Sequence, residues 1–482
     1  MLRLGTVMIS FRIATIFPVI MGICLIYFLI YYIRIIRPKA GTTEWVGRRT
    51  TSPQLALFPE PFRMEKQDVL PVVLISLFFS VLAVYNIESA VAAPYFAMFY
   101  FAMPPIPLGE VLWLSAARIN EIAFLDGRYL GALAGILMLV VMYIFIKNMF
   151  GRTSVAICGT LIFGFDFMRF VESRIGVIIP FGVLFTLMAF YFTYRFVTRP
   201  FRDSVLPLAL SGIFFGLSVA VTWTAIFAGI GIFAILIYSL FMLKRHYKIN
   251  ELPGYGKRLA KTVLFSLLFF IVVPLIIYIF SHISQGQARG MTIAGGMLWD
   301  PEFYRLTFNR AREAIYWLTY HRWVSPYPSM WWRWIINTNP ILYSYVETDG
   351  IVSAVASFGN PLVWWGGFLA IIVMAARVFM HRDNKALFIL LGYLSVVVPW
   401  VFFTRGVHTL HYFPATLFLC LGLAHMFDVM HERSPVRRKR AKWIFTFGAA
   451  AVFVMFYPVI SGFSMPEWYY GIVLRWLPTW PF

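Results

Sequence analysis

The sequence predicts an all-α polytopic membrane protein of about twelve transmembrane helices, with an external interfacial helix and a long external loop. Three observations predict it. Uncharged runs long enough to cross a hydrocarbon core of about 30 Å recur from one end of the chain to the other. The chain is 60% hydrophobic and only 13% charged over 482 residues, too apolar for the surface of a soluble domain of that size. Its Lys and Arg fall mostly in alternate loops, as the positive-inside rule requires. Helices are required because lipid offers no partner to a bare backbone N–H or C=O.

The elements follow in order. After Arg3 and Arg12, the uncharged run Ile13–Ile33 is longer than the roughly 7–15 residues of a secretory core and reads as a retained first span, 13–36. Further spans are expected at 69–85, 127–146, 154–170, 177–195, 205–220, 224–243, 262–281, 356–376, 386–403, 411–430 and 444–462. Ser204–Leu243 holds no charge, yet one helix of that length is about 60 Å, twice the core. It must fold back, near Thr222–Trp223–Thr224. Pro94, Pro104, Pro105 and Pro107 make 86–107 a poor helix, read here as a membrane-hugging external segment. Leu108–Phe124 reads as the interfacial helix, with Glu110, Arg118 and Glu121 on its polar side. The external loops are then 86–126 and 282–355. The Trp residues of the second suit either a headgroup-level belt or sugar stacking.

With the N-terminus outside, 27 of the 41 Lys and Arg lie in cytoplasmic segments. The net charge of +20 is explained by that bias. The basic residues are spread over many short loops, so no nucleic-acid partner is indicated. Cys24, Cys158 and Cys420 sit inside apolar spans and read as small buried hydrophobes. No P-loop, dinucleotide fingerprint, nucleophile elbow or H-E-x-x-H motif occurs.

A series of short motifs carries a resemblance. Asp126–Gly127–Arg128–Tyr129 opens a span. Phe163–Gly164–Phe165–Asp166, Glu172–Ser173–Arg174–Ile175, Val221–Thr222–Trp223–Thr224, Gly359–Asn360–Pro361 and His411–Tyr412–Phe413–Pro414 follow. In order and spacing these resemble the protein O-mannosyltransferase family of GT-C membrane glycosyltransferases, above all its bacterial, phospholipid-carrier-dependent branch. The likeness covers residues 69–482 and leaves 1–68 as an additional N-terminal helix with a basic cytoplasmic loop.

The resemblance implies a sugar on polyprenyl phosphate as donor and a protein or glycan hydroxyl as acceptor. It places the site on the extracytoplasmic face of a bacterial plasma membrane, among membrane lipid. Displacement at an anomeric carbon needs a base near the acceptor and positive charge near the leaving phosphate. Where the family has an acid pair, this chain reads Tyr85–Asn86–Ile87–Glu88–Ser89, so Glu88 is the candidate base. Arg174 is the candidate for the donor phosphate, because a guanidinium fork matches it. Arg405, His408 and His411 cluster at a span edge and are assigned to the same headgroup. His321, Arg322 and Arg128 complete the expected substrate-binding set. Each also has a plainer reading: an interfacial carboxylate, a snorkelling Arg or a hydrogen-bonded His. No cofactor is indicated, and a divalent metal is left open by the incomplete acid pair. The missing acids motivate a second reading, a non-catalytic relative that binds lipid-linked sugar or a partner protein. A transporter, the third, calls for inverted repeats and mid-membrane charges.

Overall fold

The computed structural model describes residues 61–85, 87, 127–176, 178–198, 201–249, 251, 253–319, 327–403, 407–432 and 440–482, with 19–27, 29–30 and 33. Among them, nine helices are long and apolar enough to cross a membrane, and Thr153–Gly164 and Val205–Val221 are shorter apolar helices. The chain is an integral membrane protein.

The helices in chain order are α1 (Lys66–Val84), α2 (Gly127–Phe150), α3 (Thr153–Gly164), α4 (Phe167–Glu172), α5 (Ile179–Val197), α6 (Phe201–Val221) and α7 (Ile226–Ile249). Then come α8 (Tyr255–Leu267), α9 (Val273–Ser281), α10 (Ile283–Ala288), α11 (Pro301–Thr319) and α12 (Trp331–Ile335). A hairpin, β1 (Ile341–Thr348) and β2 (Ile351–Ser357), precedes α13 (Pro361–His381), α14 (Asn384–Val397), α15 (Phe413–Glu432) and α16 (Ala441–Ser461). The described residues of 19–33 are helical, and Leu25 is buried in the common core.

Each expected span from 69–85 onward overlaps described helix, and nine of the described helices have the length and hydropathy of a crossing. The fold-back at Thr222–Trp223–Thr224 is present as a short 3-10 turn, Trp223–Ala225. Two expectations are corrected. Span 154–170 is not one helix: it stops at Phe165 and restarts after Asp166, which caps α4 through its side chain. The class is not purely α, because the hairpin joins β3 (Met465–Pro466) in a three-stranded antiparallel sheet of order β1-β2-β3. β2 runs to Ser357, which is why α13 begins at Pro361 rather than near 356. The hairpin turns on Asp349 (φ 51°) and Gly350 (φ 75°), the left-handed pair that a two-residue turn demands. The expected interfacial helix 108–124 lies outside the described residues.

Burial sorts the helices. The most apolar window of Thr409–His431 is 94% buried, so α15 is the axis of the bundle. The corresponding window of Tyr255–Ala288 has no buried residue, so α8 and α9 form a lipid-facing edge. There α6 approaches closely, since a Cβ on Gly212 would sit 2.1 Å from the carbonyl oxygen of Phe269.

Chain alternation and contacts define two rims. One collects the end of α1, the start of α2, α4, the α6–α7 turn, the sheet and the start of α15. Contacts from Arg174 to Ala83 and from Glu172 to both hairpin strands tie that rim together. The other rim holds Lys147, Arg152, Arg377 and Lys442 with their partners Asp68, Asp428, Asp383 and Ser154.

Candidate functional site

The site is built around α4, a six-residue helix lodged between two spans. Asp166 caps it by accepting from the backbone N–H of Arg169 (3.0 Å). Its other oxygen accepts from Trp364 Nε1 (2.8 Å) and the backbone N–H of Asn360 (3.4 Å). Asn360 caps α13 in turn, ahead of Pro361, and its amide donates to the carbonyls of Phe165 and Ala449. The break in the expected span is thus a fully hydrogen-bonded knot joining α3, α4, α13 and α16. Arg169 is spent on the same purpose: it donates to the carbonyls of Phe163, Gly164 and Gly135.

At the other end of α4, Glu172 Oε1 accepts from the hydroxyls of Tyr343 (2.9 Å) and Ser357 (2.6 Å). Burial pushes its carboxyl up to about 7. Arg174, 1% exposed, lies with its guanidinium 4.9 Å from the ring of Phe170. It donates from Nε to the carbonyl of Ala83 (3.0 Å) and from Nη2 to that of Tyr85 (2.8 Å). Arg128 donates to the carbonyl of Ile87 (2.9 Å). The end of a helix leaves its last carbonyls without partners and carries partial negative charge. Two guanidiniums meet that need at the end of α1, one residue before Glu88.

A second cluster lies where α15 begins. His408 is 6% exposed, and the preceding Val407 pairs with Ser329 through both backbone N–H groups. His411 packs at a tilt against Trp400, ring centroids 4.4 Å apart, with Trp334 at 6.2 Å. It opens on a small cavity also lined by Thr186, Thr224, Val396 and Pro414. So the structure brings Arg128 and Arg174 to one segment, 83–87, and His408 and His411 to one turn. Glu88, His321, Arg322 and Arg405 lie outside the described residues.

Arg174→Ala is expected to lower kcat about a hundredfold, because the carbonyls of Ala83 and Tyr85 lose their donor and the segment before Glu88 loses its register. Lys is not expected to rescue it, since an ammonium lacks the fork that spans both carbonyls. Steady-state kinetics checks this: a rise in donor KM alone, with kcat intact, returns Arg174 to the phosphate.

Comparison with known proteins shows what the chain is similar to. Residues 106–283 match the family model of dolichyl-phosphate-mannose-protein mannosyltransferase. Residues 313–480 match that of the C-terminal four-membrane-span region of protein O-mannosyltransferase. The chain is a protein O-mannosyltransferase-like GT-C protein. It is similar to the polyprenol-phosphate-mannose–protein mannosyltransferases of Mycobacterium tuberculosis, 23% identical over 78% of this chain and 80% of that protein, and Mycolicibacterium smegmatis, 23% over 78% and 81%. In fold it is similar to the S. cerevisiae protein O-mannosyltransferase Pmt1-Pmt2 complex bound to the sugar donor. The TM-score is 0.68 at 12% identity, covering 87% of this chain and 93% of that one.

Within this O-mannosyltransferase-like frame, sequence reasoning passed over Glu172, Tyr343 and Ser357 as site residues. The available signal was the Asp349–Gly350 dipeptide between two β-branched and aromatic runs, which marks a hairpin. Among the described residues no group of three or more His, Cys, Asp or Glu side chains is placed to hold a metal.

Proposed function

We propose that the protein transfers mannose from a polyprenyl-phosphate carrier to an acceptor hydroxyl on a protein, at the extracytoplasmic face of a bacterial plasma membrane. The observation that carries this is that mannosyltransferase family models match both halves of the chain. The named activity of the mycobacterial relatives supplies the donor and the acceptor class. Sidedness is supported by the rim opposite α4, where Lys147, Arg152, Arg377 and Lys442 gather, as cytoplasmic ends do.

In this reading Glu88 takes the acceptor proton as the hydroxyl attacks the anomeric carbon. The phosphate leaves on the opposite side of the sugar, so the configuration inverts. Arg405, His408 and His411, with His321 and Arg322, meet the leaving phosphate and the sugar. The hydrogen bonds of Arg174 and Arg128 favour a supporting role, holding the segment that leads to Glu88.

The test is direct. The full chain in proteoliposomes, given polyprenyl-phosphate mannose and a Ser/Thr-containing acceptor peptide, is expected to yield mannosylated peptide and free polyprenyl phosphate. Donor binding without turnover overturns the catalytic reading and leaves a lipid-linked-sugar binder, the reading that the incomplete acid pair motivates.

A further inference from the structure

Glu172 is a buried carboxylate that no step above uses. It is 0% exposed. Both of its donors, the Tyr343 and Ser357 hydroxyls, share Oε1. Oε2 is buried with no hydrogen-bond partner. An ionised carboxylate left that way carries a large desolvation cost, whereas an uncharged acid leaves one O–H donor unpaired at a much smaller one. The charged groups around it do not change this. On its own element, Asp166 is bonded to Trp364 and Asn360, while the Arg169 and Arg174 guanidiniums point to backbone carbonyls. Tyr343 faces it from β1, and Tyr457 and Arg128 lie close to Arg174 from α16 and α2.

The hairpin is shaped for this contact. Leu342 pairs with Ala356 and Ser344 with Val355, so Tyr343 is the extra residue of a β-bulge. A bulge re-aims a side chain that regular pairing would place elsewhere. Here it delivers the Tyr343 hydroxyl to Glu172. Ser357, the last residue of β2, provides the second hydroxyl.

We propose that Glu172, as an uncharged acid, is a positioning residue for transfer: it locks the hairpin to α4 so that Arg174 keeps its grip on Ala83 and Tyr85 and sets the segment leading to Glu88. This rests on the glycosyltransferase reading above. Burial holds the carboxyl protonated up to about pH 7. As the pH rises from the ordinary carboxylate range through about 7, an opened, hydrated Glu172 ionises more readily than the buried one, so the balance shifts toward opening and the lock weakens even though both hydroxyls favour the charged form. Gln keeps the shared acceptor oxygen and cannot ionise.

The experiment compares wild type, Glu172→Gln and Glu172→Ala as full chains in lipid nanodiscs, by transfer kinetics from about pH 6 to about pH 9 and by amide hydrogen exchange over 83–87. Wild type is expected to lose kcat on the alkaline side, Glu172→Gln to stay active without that limb, and Glu172→Ala to lose about a hundredfold in kcat with donor KM unchanged. Protection over 83–87, taken relative to the intrinsic exchange rate at each pH, is expected to fall in Glu172→Ala and at alkaline pH in wild type, and to hold in Glu172→Gln. If Gln behaves like Ala, or shares the wild-type alkaline limb, the proposal fails. Equal exchange in all three chains also overturns it, whatever the kinetics. An inactive wild type that shows the expected exchange pattern counts against the transfer reading alone. Should Glu172→Ala not accumulate, the Gln pH profile and exchange decide the matter.

Discussion

Glu88→Gln is expected to abolish sugar transfer and leave the amount of folded protein unchanged. A positioned base contributes about 10²–10⁴-fold to such a step, and the amide cannot accept the acceptor proton. Folding is expected to be spared because the neighbouring backbone is held by other groups. The carbonyls of Ala83 and Tyr85 are bonded to Arg174, and that of Ile87 to Arg128. Donor binding is expected to persist, since it draws on the phosphate-facing set. Mannosyl transfer and donor binding, measured side by side, check this. Full turnover in Glu88→Gln removes Glu88 from the mechanism and sends the search for a base to the other acids of that rim.

The helical architecture was legible because its signal is one-dimensional. An uncharged run of sufficient length has one stable solution in lipid, and the fold-back at Thr222–Trp223–Thr224 followed from length alone. The break at Phe165–Asp166 was not legible by hydropathy, since a buried cap resembles any other costly intramembrane acid. Its partners, Trp364 and Asn360, lie almost two hundred residues away. The sheet was missed for another reason. Ile341–Ser357 carries Glu347 and Asp349, so it falls within the expected external loop 282–355, with only its last two residues assigned to the span 356–376. The Asp349–Gly350 turn between its two β-branched and aromatic runs is the cue for a hairpin. The role of Arg174 shows the same limit. Sequence places a guanidinium near the rim, but what it grips, two carbonyls at the end of α1, is settled by tertiary contact.

Asp68→Ala is expected to be the most destabilising change away from the site. Asp68 is fully buried and accepts from four donors. Tyr143 Oη (2.9 Å) and Thr153 Oγ1 (2.8 Å) share Oδ1; Lys147 Nζ (3.1 Å) and the backbone N–H of Glu65 (2.8 Å) share Oδ2. Lys147 is 1% exposed on its side chain, so removing Asp68 strands most of a buried charge, with the half-exposed Glu65 as its remaining carboxylate at 3.3 Å. Breaking a buried pair from one side costs about 3–5 kcal/mol. Asn is expected to recover only part of the loss, because its amide oxygen can accept from Lys147 and Glu65 but carries no charge to balance the buried ammonium. The discriminating variant is Asp68→Ala with Lys147→Met, which removes both charges and is expected to recover most of the lost thermal stability. A double variant no more stable than Asp68→Ala would show that the four hydrogen bonds, not the stranded charge, set the cost. Transfer per folded molecule is expected to stay at the wild-type value in all of these chains, since the cluster joins the starts of α1 and α3 to the end of α2, at the rim opposite Glu172, Arg174 and His411.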